Sequence, residues 1–304
     1  MKKVAVLILN HRQDELTRQC LVSLCKVDYD NFEIILINNE SEKAFEIAWG
    51  GNNPPLRIVE SKENLGCAGG RNLGIDYFFA NSYADYLFFL DNDTVVDSGI
   101  LKELVKVAQS DEAIGLVGMK VYYFNEPHKF WFAGGARLNV LKGEFYDSGQ
   151  GELDYGQYDT GKNMDSIPGG FTFIPRKTLD TIGKLDERFF IYFEDPDWCL
   201  RLRKKGLKIA FAPNAKVWHK ASSSLGRESP GFCYFRTRNR LLFMWKQCSK
   251  LVFCIFFLYF ILEFSRNNVI GYLFDKKQML ARASLLGFYD FLAGNYGKSR
   301  IFAR

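Results

Sequence analysis

Two carboxylates one residue apart, Asp91 and Asp93, close the apolar run Tyr86-Leu-Phe-Phe-Leu90. Alternate side chains of an extended segment point the same way. Ligands of open α/β sheets bind beyond the carboxyl ends of strands. Hard oxygen donors there suit Mg2+ or Mn2+ bridging phosphates, although the tripeptide would serve equally as an Asp-rich turn ending a strand. His219, in Val217-Trp-His-Lys220, is one of three histidines. It is either a further metal ligand or a ring satisfied by its neighbours.

A second group is Glu63-Asn-Leu-Gly-Cys-Ala-Gly-Gly-Arg-Asn-Leu-Gly-Ile75. Gly66, Gly69 and Gly70 precede a predicted helix, so bare backbone amides can meet an anion at its N-terminus, with Arg71 adding a cation. A plain glycine-rich turn is the simpler alternative. The spacing is neither Gly-x-Gly-x-x-Gly nor the Gly-Lys-Ser/Thr of a P-loop, which counts against a Rossmann dehydrogenase or an ATPase. A third group is Phe190-Ile-Tyr-Phe-Glu-Asp-Pro-Asp-Trp-Cys-Leu-Arg201. Pro196 suits a first helical position, with Asp195 as N-cap and Asp197 in the first turn. Acids at a helix start can be purely structural. Acids beside aromatic rings can also hold a sugar, the rings stacking on its face while a carboxylate takes a hydroxyl proton. Arg236, Arg238 and Arg240 surround Asn239 and would either clamp a diphosphate or form a solvated basic face.

The elements that must position these groups alternate. Residues 4–9, 32–37, 56–60, 86–90 and 114–123 read as strands, and residues 14–24, 73–81 and 100–109 as helices. Such alternation predicts a mostly parallel sheet flanked by helices. Beyond residue 125 the pattern is mixed: hairpins and loops over residues 134–163, a strand at 171–174, a helix at 193–205 closed by Gly206, and short strands at 208–212 and 215–218. From about Gly231 the chain reads as helical. No internal repeat or low-complexity tract is present.

Charge divides the chain. Residues 1–195 hold 20 Lys and Arg against 30 Asp and Glu, and residues 196–304 hold 20 against 5. A basic, aromatic tail suits an anionic partner. Beside it, residues 251–264 form an apolar run broken only by Glu263. Its fourteen residues make about 21 Å of helix, too short for a hydrocarbon core of ~30 Å. It is read as lying on a membrane, with a buried bundle helix as the alternative. Seven scattered cysteines without a Cys-x-x-Cys pair argue against a disulfide framework or a structural zinc site, and for a reducing compartment. The apolar N-terminus is too short for a signal peptide and lacks a cleavage site, so it is read as a buried first strand of a cytoplasmic protein.

Taken in order, these segments resemble the family 2 glycosyltransferases of GT-A fold, in a bacterial rhamnosyltransferase-like branch. The resemblance covers residues 3–245. It rests on Val6-Leu-Ile-Leu-Asn-His11, Asn64-Leu-Gly-Cys-Ala-Gly-Gly-Arg-Asn72, Asp91-Asn-Asp93, Gly169-Gly170, Phe193-Glu-Asp-Pro-Asp-Trp198 and His219-Lys220. It implies a catalytic domain over residues 1–230, with a nucleotide-sugar half (1–125) and an acceptor half (126–230), and a membrane-associating region over 231–304. By the same resemblance Asn10 borders the nucleoside, and Asn38 stands where the family usually has a base-binding aspartate. An amide both donates and accepts where a carboxylate only accepts, which leaves uracil and thymine open. Gly69, Gly70, Arg71 and Asn72 would border the donor diphosphate and sugar, with Arg238 as a further diphosphate cation.

Asp93 would be the main metal ligand, Asp91 would support it and the nucleotide, and His219 would complete the shell around Mn2+ or Mg2+. Gly169, Gly170 and Trp198 would line the acceptor cleft. Asp195 would be the base, with Glu194 beside it. The processive-synthase signature Gln-x-x-Arg-Trp is absent. The activity implied is inverting transfer of a sugar, rhamnose from dTDP-rhamnose first, to a glycan or polyprenyl-linked acceptor in cell-surface polysaccharide synthesis. It would take place on the inner face of the plasma membrane, with no nucleic-acid partner and self-association left open. The alternatives are a UDP-hexose or galactofuranose transferase and a catalytically silent scaffold.

Overall fold

A computed structural model describes residues 1–40, 44–160, 164–220, 229–266 and 277–299. The chain runs β1 (Val4–Asn10), α1 (Asp14–Leu24), β2 (Phe32–Asn39), β3 (Leu56–Ser61), α2 (Gly66–Asn81), β4 (Tyr86–Asp91), β5 (Thr94–Val96), α3 (Ile100–Ala108) and β6 (Ile114–Tyr123). It continues through β7 (Glu126–Phe132), β8 (Ala136–Asn139), β9 (Glu144–Asp147), β10 (Phe171–Pro175), α4 (Arg176–Ile182), α5 (Glu194–Lys204) and β11 (Lys208–His219). Among the described residues three helices follow: α6 (Pro230–Gln247), α7 (Lys250–Glu263) and α8 (Gln278–Ala293).

The apolar runs of β1, β2 and β4 are buried on both faces, as central parallel strands require. The sheet order is β3-β2-β1-β4-β10-β6-β11-β5, with β7 added to β6. Strands β1 to β4 pair in parallel. The antiparallel β10 is wedged between β4 and β6. Strand β11 runs parallel to β6 and antiparallel to β5. This is a mixed α/β, GT-A-like core with a helical, basic and aromatic C-terminal layer.

Three boundaries differ from expectation. Helix α2 starts at Gly66, not at residue 73. Isolated glycines disfavour a helix, but here they let it lie on β1: a Cβ on Gly70 would sit 2.5 Å from Leu9 Cδ1, and one on Gly74 2.0 Å from Leu7 Cδ1. Packing overrides propensity. Residues 208–219 form one strand with an irregularity between Ala212 and Lys216, not two strands. Helix α5 starts at Glu194 behind a left-handed Phe193, so Asp195 lies in the first turn and is not the N-cap.

The apolar run of the tail is α7. It buries Phe253, Phe256 and Phe260 against Leu241, Phe243 and Met244 of α6. Among the described residues no helix is long and apolar enough to cross a membrane. The helical expectation for residues 267–276 and 300–304, and the loop expectation for 161–163, fall outside the described residues. All seven cysteines are free.

Ion pairs tie this layer to the core. The fully buried Asp197 of α5 accepts from Arg201 Nε at 3.1 Å, from Lys246 Nζ of α6 at 2.8 Å and from Gln247 Nε2 at 2.5 Å. Lys246 also reaches Asp186 at 2.7 Å, as does Arg188. Burial alone would raise the Asp186 pKa, but hydrogen bonds from Arg188 and Lys246 outweigh it and hold the carboxyl well below its usual range. A depressed carboxylate contributes stability above its unfolded pKa of about 3.9, and that contribution is lost as pH falls through the folded value. We expect unfolding free energy to drop from about pH 5 downward and Asp186→Asn to flatten that acid limb, read by urea titrations at several pH values.

Candidate active site

Asp91 ends β4, and Thr94 after it begins β5. Pairing of β5 with β11 sets Thr94 opposite His219, which carries the imidazole to the acidic turn. His219 Nε2 lies 3.0 Å from Asp93 Oδ1, and one ligand atom from each of Asp91, Asp93 and His219 falls within 4.8 Å of the others. The Asp93 carbonyl accepts from Lys220 N–H at 2.9 Å, closing the turn from below. Asn92 points the other way, onto Asn10 and Thr17. Trp131 and Phe171 meet the His219 ring edge-on, with centroids at 4.6 and 5.2 Å. The donor set fits a divalent cation: two carboxylates suit Mn2+ or Mg2+, and the imidazole offers a third ligand atom within reach.

At the same sheet edge, the ends of β1, β2 and β3 carry a line of amides. Asn10 Nδ2 donates to Asn38 Oδ1 at 2.9 Å and to Asp14 at 2.8 Å. Asn38 Nδ2 donates to Glu60 Oε2 at 2.8 Å. Both asparagines are buried, so their amides organise this edge from beneath. Glu60 escaped the sequence reading. Its only sequence trace is a position at the carboxyl end of a strand, where its other oxygen accepts Phe45 N–H.

Arg71 lies between the two halves of the site. The guanidinium donates to Asp91 Oδ1 at 3.1 Å and to Glu194 Oε1 at 3.4 Å, above the Phe89 ring. Burial works against its charge, but Asp91, Glu194 and Asp195 outweigh that and raise its pKa. Gly169 and Gly170 make this possible. A Cβ on Gly169 would come 2.5 Å from Arg71 Nη1, and one on Gly170 2.1 Å from the Asp91 carboxylate. Gly169 N–H donates to Asp195 Oδ2 at 2.9 Å. Burial and then the adjacent Asp195 push the Glu194 pKa up to about 8, while burial also raises that of Asp195. Glu194 Oε2 is buried without a hydrogen-bond partner.

A candidate cation site at the end of β4 thus stands beside a second acidic pair at the start of α5. The model of the glycosyltransferase-like family 2 matches residues 2–240. The chain belongs to that family. The hexosyltransferase Agl10 of low-salt glycan biosynthesis in Haloferax volcanii is 22% identical over 303 residues, covering 97% of this chain and 92% of that protein. The dTDP-rhamnosyl transferase RfbF of Shigella flexneri is 23% identical over 66% of this chain and 67% of its own length. Protein y4gI of Sinorhizobium fredii is 27% identical over 66% of this chain, which spans only 22% of that longer protein. The mannosyltransferase PcManGT of Pyrobaculum calidifontis, solved with GDP-Man and Mn2+, aligns with a TM-score of 0.56 over 95% of this chain and 87% of its own at 12% identity. That likeness is one of fold.

Several residues of this glycosyltransferase take roles other than those expected. Arg238, expected at the diphosphate, is fully buried and turned onto backbone carbonyls. It donates to the carbonyls of Gly297 at 2.8 Å, Arg188 at 3.2 Å and Phe189 at 3.1 Å. Arg240 serves Lys142 O and Glu263. Trp198, expected at the acceptor cleft, is buried, stacks on Phe89 and donates to Gly183 O at 2.8 Å. Asn72 is buried and grips Leu185 through both backbone groups, with Glu187. Gly69 and Gly70 lie within α2 and present no free N-terminus to an anion. The leading amides Leu65, Gly66 and Ala68 already donate to Asn39, Asn64 and the Phe190 carbonyl.

The loop ahead of Glu194 is strained. Phe190, Tyr192 and Phe193 all have φ between 66° and 71°, where a side chain costs about 1–2 kcal/mol per residue. Their rings turn onto Phe235, Phe232 and Phe243 of α6 and form no exposed sugar platform. Asn239, passed over in the sequence except as the centre of an arginine cluster, holds the loop. Its amide donates to the carbonyls of Phe189 and Ile191 at 2.7 Å and of Tyr192 at 3.0 Å. We expect Asn239→Ala to cost about 2 kcal/mol, the two net hydrogen bonds that one amide nitrogen can donate among three carbonyls, in urea unfolding. Turnover should fall with it, and unchanged stability would refute this role.

Proposed function

We propose that this protein is an inverting, metal-dependent glycosyltransferase that moves a hexosyl unit from a nucleotide-diphosphate donor to a hydroxyl of a glycan or lipid-linked glycan. One observation carries the reading: Asp91, Asp93 and His219 lie within reach of one cation and are joined through Arg71 to the Glu194–Asp195 pair. A divalent cation held by Asp91, Asp93 and His219 would neutralise charge developing on the leaving nucleoside diphosphate. The Asn10–Asn38–Glu60 line would border the nucleoside.

Asp195 is the base we assign. The Gly169 amide fixes its carboxyl, and a raised pKa makes it a stronger proton acceptor. Glu194 is the weaker choice, because burial keeps it largely protonated near neutrality and Arg71 engages it. With Glu194 buried, it does not serve as a second nucleophile, which favours inversion at C1.

For the donor we take dTDP-rhamnose, supported by the similarity to RfbF. The near full-length similarity to the hexosyltransferase Agl10 supports a hexose as the transferred sugar, and a UDP-hexose is our second reading. Glycan names among the relatives support polysaccharide synthesis as the setting. Thermal shift against a donor panel with and without Mn2+ separates the two, since a ligand at a hundredfold excess over Kd adds about 2.7 kcal/mol. Asp195→Asn should lower kcat about 10²–10⁴-fold with donor affinity retained; near-normal turnover in a folded variant would displace the base assignment. Asp93→Ala should abolish Mn2+-dependent nucleotide binding by calorimetry. Unchanged affinity would remove Asp93 from the metal site.

A further inference from the structure

On α7, Leu251, Ile255, Leu258 and Leu262 are exposed, Leu258 and Leu262 by 69% and 75%. Their spacing of four, three and four residues forms one stripe along the helix, opposite the buried Phe253, Phe256 and Phe260. On the neighbouring α8, which meets α7 through Phe257 and Phe288, Met279, Leu285 and Tyr289 are exposed in the same way. Large apolar side chains left exposed in a stripe mark a candidate interaction site.

Charge is sorted with it. The one acid of α7, Glu263, is drawn inward to Arg240 at 2.7 Å. The one acid of α8, Asp290, accepts from Tyr234 of α6 at 2.6 Å. Lys250 at the head of α7 and Arg282 beside Met279 are exposed, and among the described residues neither forms an ion pair. An apolar stripe with cations at its side and carboxylates withdrawn complements a bilayer of anionic headgroups. A second copy fits poorly, since stacking the face on itself would bring cations together with no carboxylate to meet them. At about 21 Å, α7 is too short to span a ~30 Å core.

We propose that the outward faces of α7 and α8 form a surface that lies on an anionic lipid bilayer, with the α7 stripe in the headgroup–acyl boundary. The full chain should co-sediment with phosphatidylglycerol–phosphatidylcholine vesicles, less with pure phosphatidylcholine, and less at high salt. Leu258→Glu with Leu262→Glu should lower vesicle partitioning by more than about tenfold while leaving donor turnover unchanged. Lys250→Gln with Arg282→Gln should lower it about tenfold and weaken the salt dependence, which also decides the matter if the acidic pair disturbs folding. Vesicle binding is read without any acceptor or donor, so it fails or succeeds apart from the sugar-transfer reading. Undiminished binding by both double variants would overturn the proposal. So would light scattering showing that Leu258→Glu with Leu262→Glu splits a dimer of a chain that binds no vesicles.

Discussion

Four carboxyl groups, those of Asp91, Asp93, Glu194 and Asp195, gather where β4 ends and α5 begins, and one buried guanidinium reconciles two of them. Carboxylates at about 4 Å repel by about 4 kcal/mol at an effective dielectric of 20; burial relieves part of this by keeping Glu194 largely protonated, and the charge that remains needs a counter-ion held in place. Arg71 is that group, hydrogen-bonded to Asp91 on one side and Glu194 on the other. Removing one partner of a buried pair leaves an uncompensated charge, so the two halves of the site stand or fall together. On the other side of the turn, His219 Nε2 lies 3.0 Å from Asp93 Oδ1.

Much of the surrounding structure exists to let Arg71 reach that position. Helix α2 carries it and can lie close to β1 because Gly70 and Gly74 have no side chains to strike Leu9 and Leu7. Gly169 and Gly170 leave the space that the guanidinium and the Asp91 carboxylate fill. The resemblance to other glycosyltransferases assigned Arg71 to the donor diphosphate and the two glycines to the acceptor cleft. Their contacts make them the packing that holds the acidic groups at fixed separation.

The C-terminal helices belong to the same construction. Three aromatic residues in left-handed conformations precede Glu194, and such strain persists only where surrounding contacts over-determine it. Arg238 and Asn239 of α6 supply those contacts, bonding carbonyls from Arg188 to Tyr192. The helix that orients the acidic loop also anchors α7 and α8, whose outer faces are apolar and basic.

By itself the sequence determined the alternating elements, the acidic end of β4, the acids that open α5 and the basic, aromatic and apolar character of the tail. These follow from local period and composition, and a run such as residues 86–90 has few other ways to bury itself. Partnerships across the chain were decided only by tertiary structure. Arg238 and Trp198 read as ligand-binding because a cation or an indole looks the same in a sequence whether it faces solvent or backbone carbonyls. Glu60 and Asn239 were passed over because their partners lie 22 and some 50 residues away. A glycine pair gives no hint of which side chain will occupy the space it leaves. Those choices depend on strand order and helix approach, set by burial of the whole core and not by any one segment.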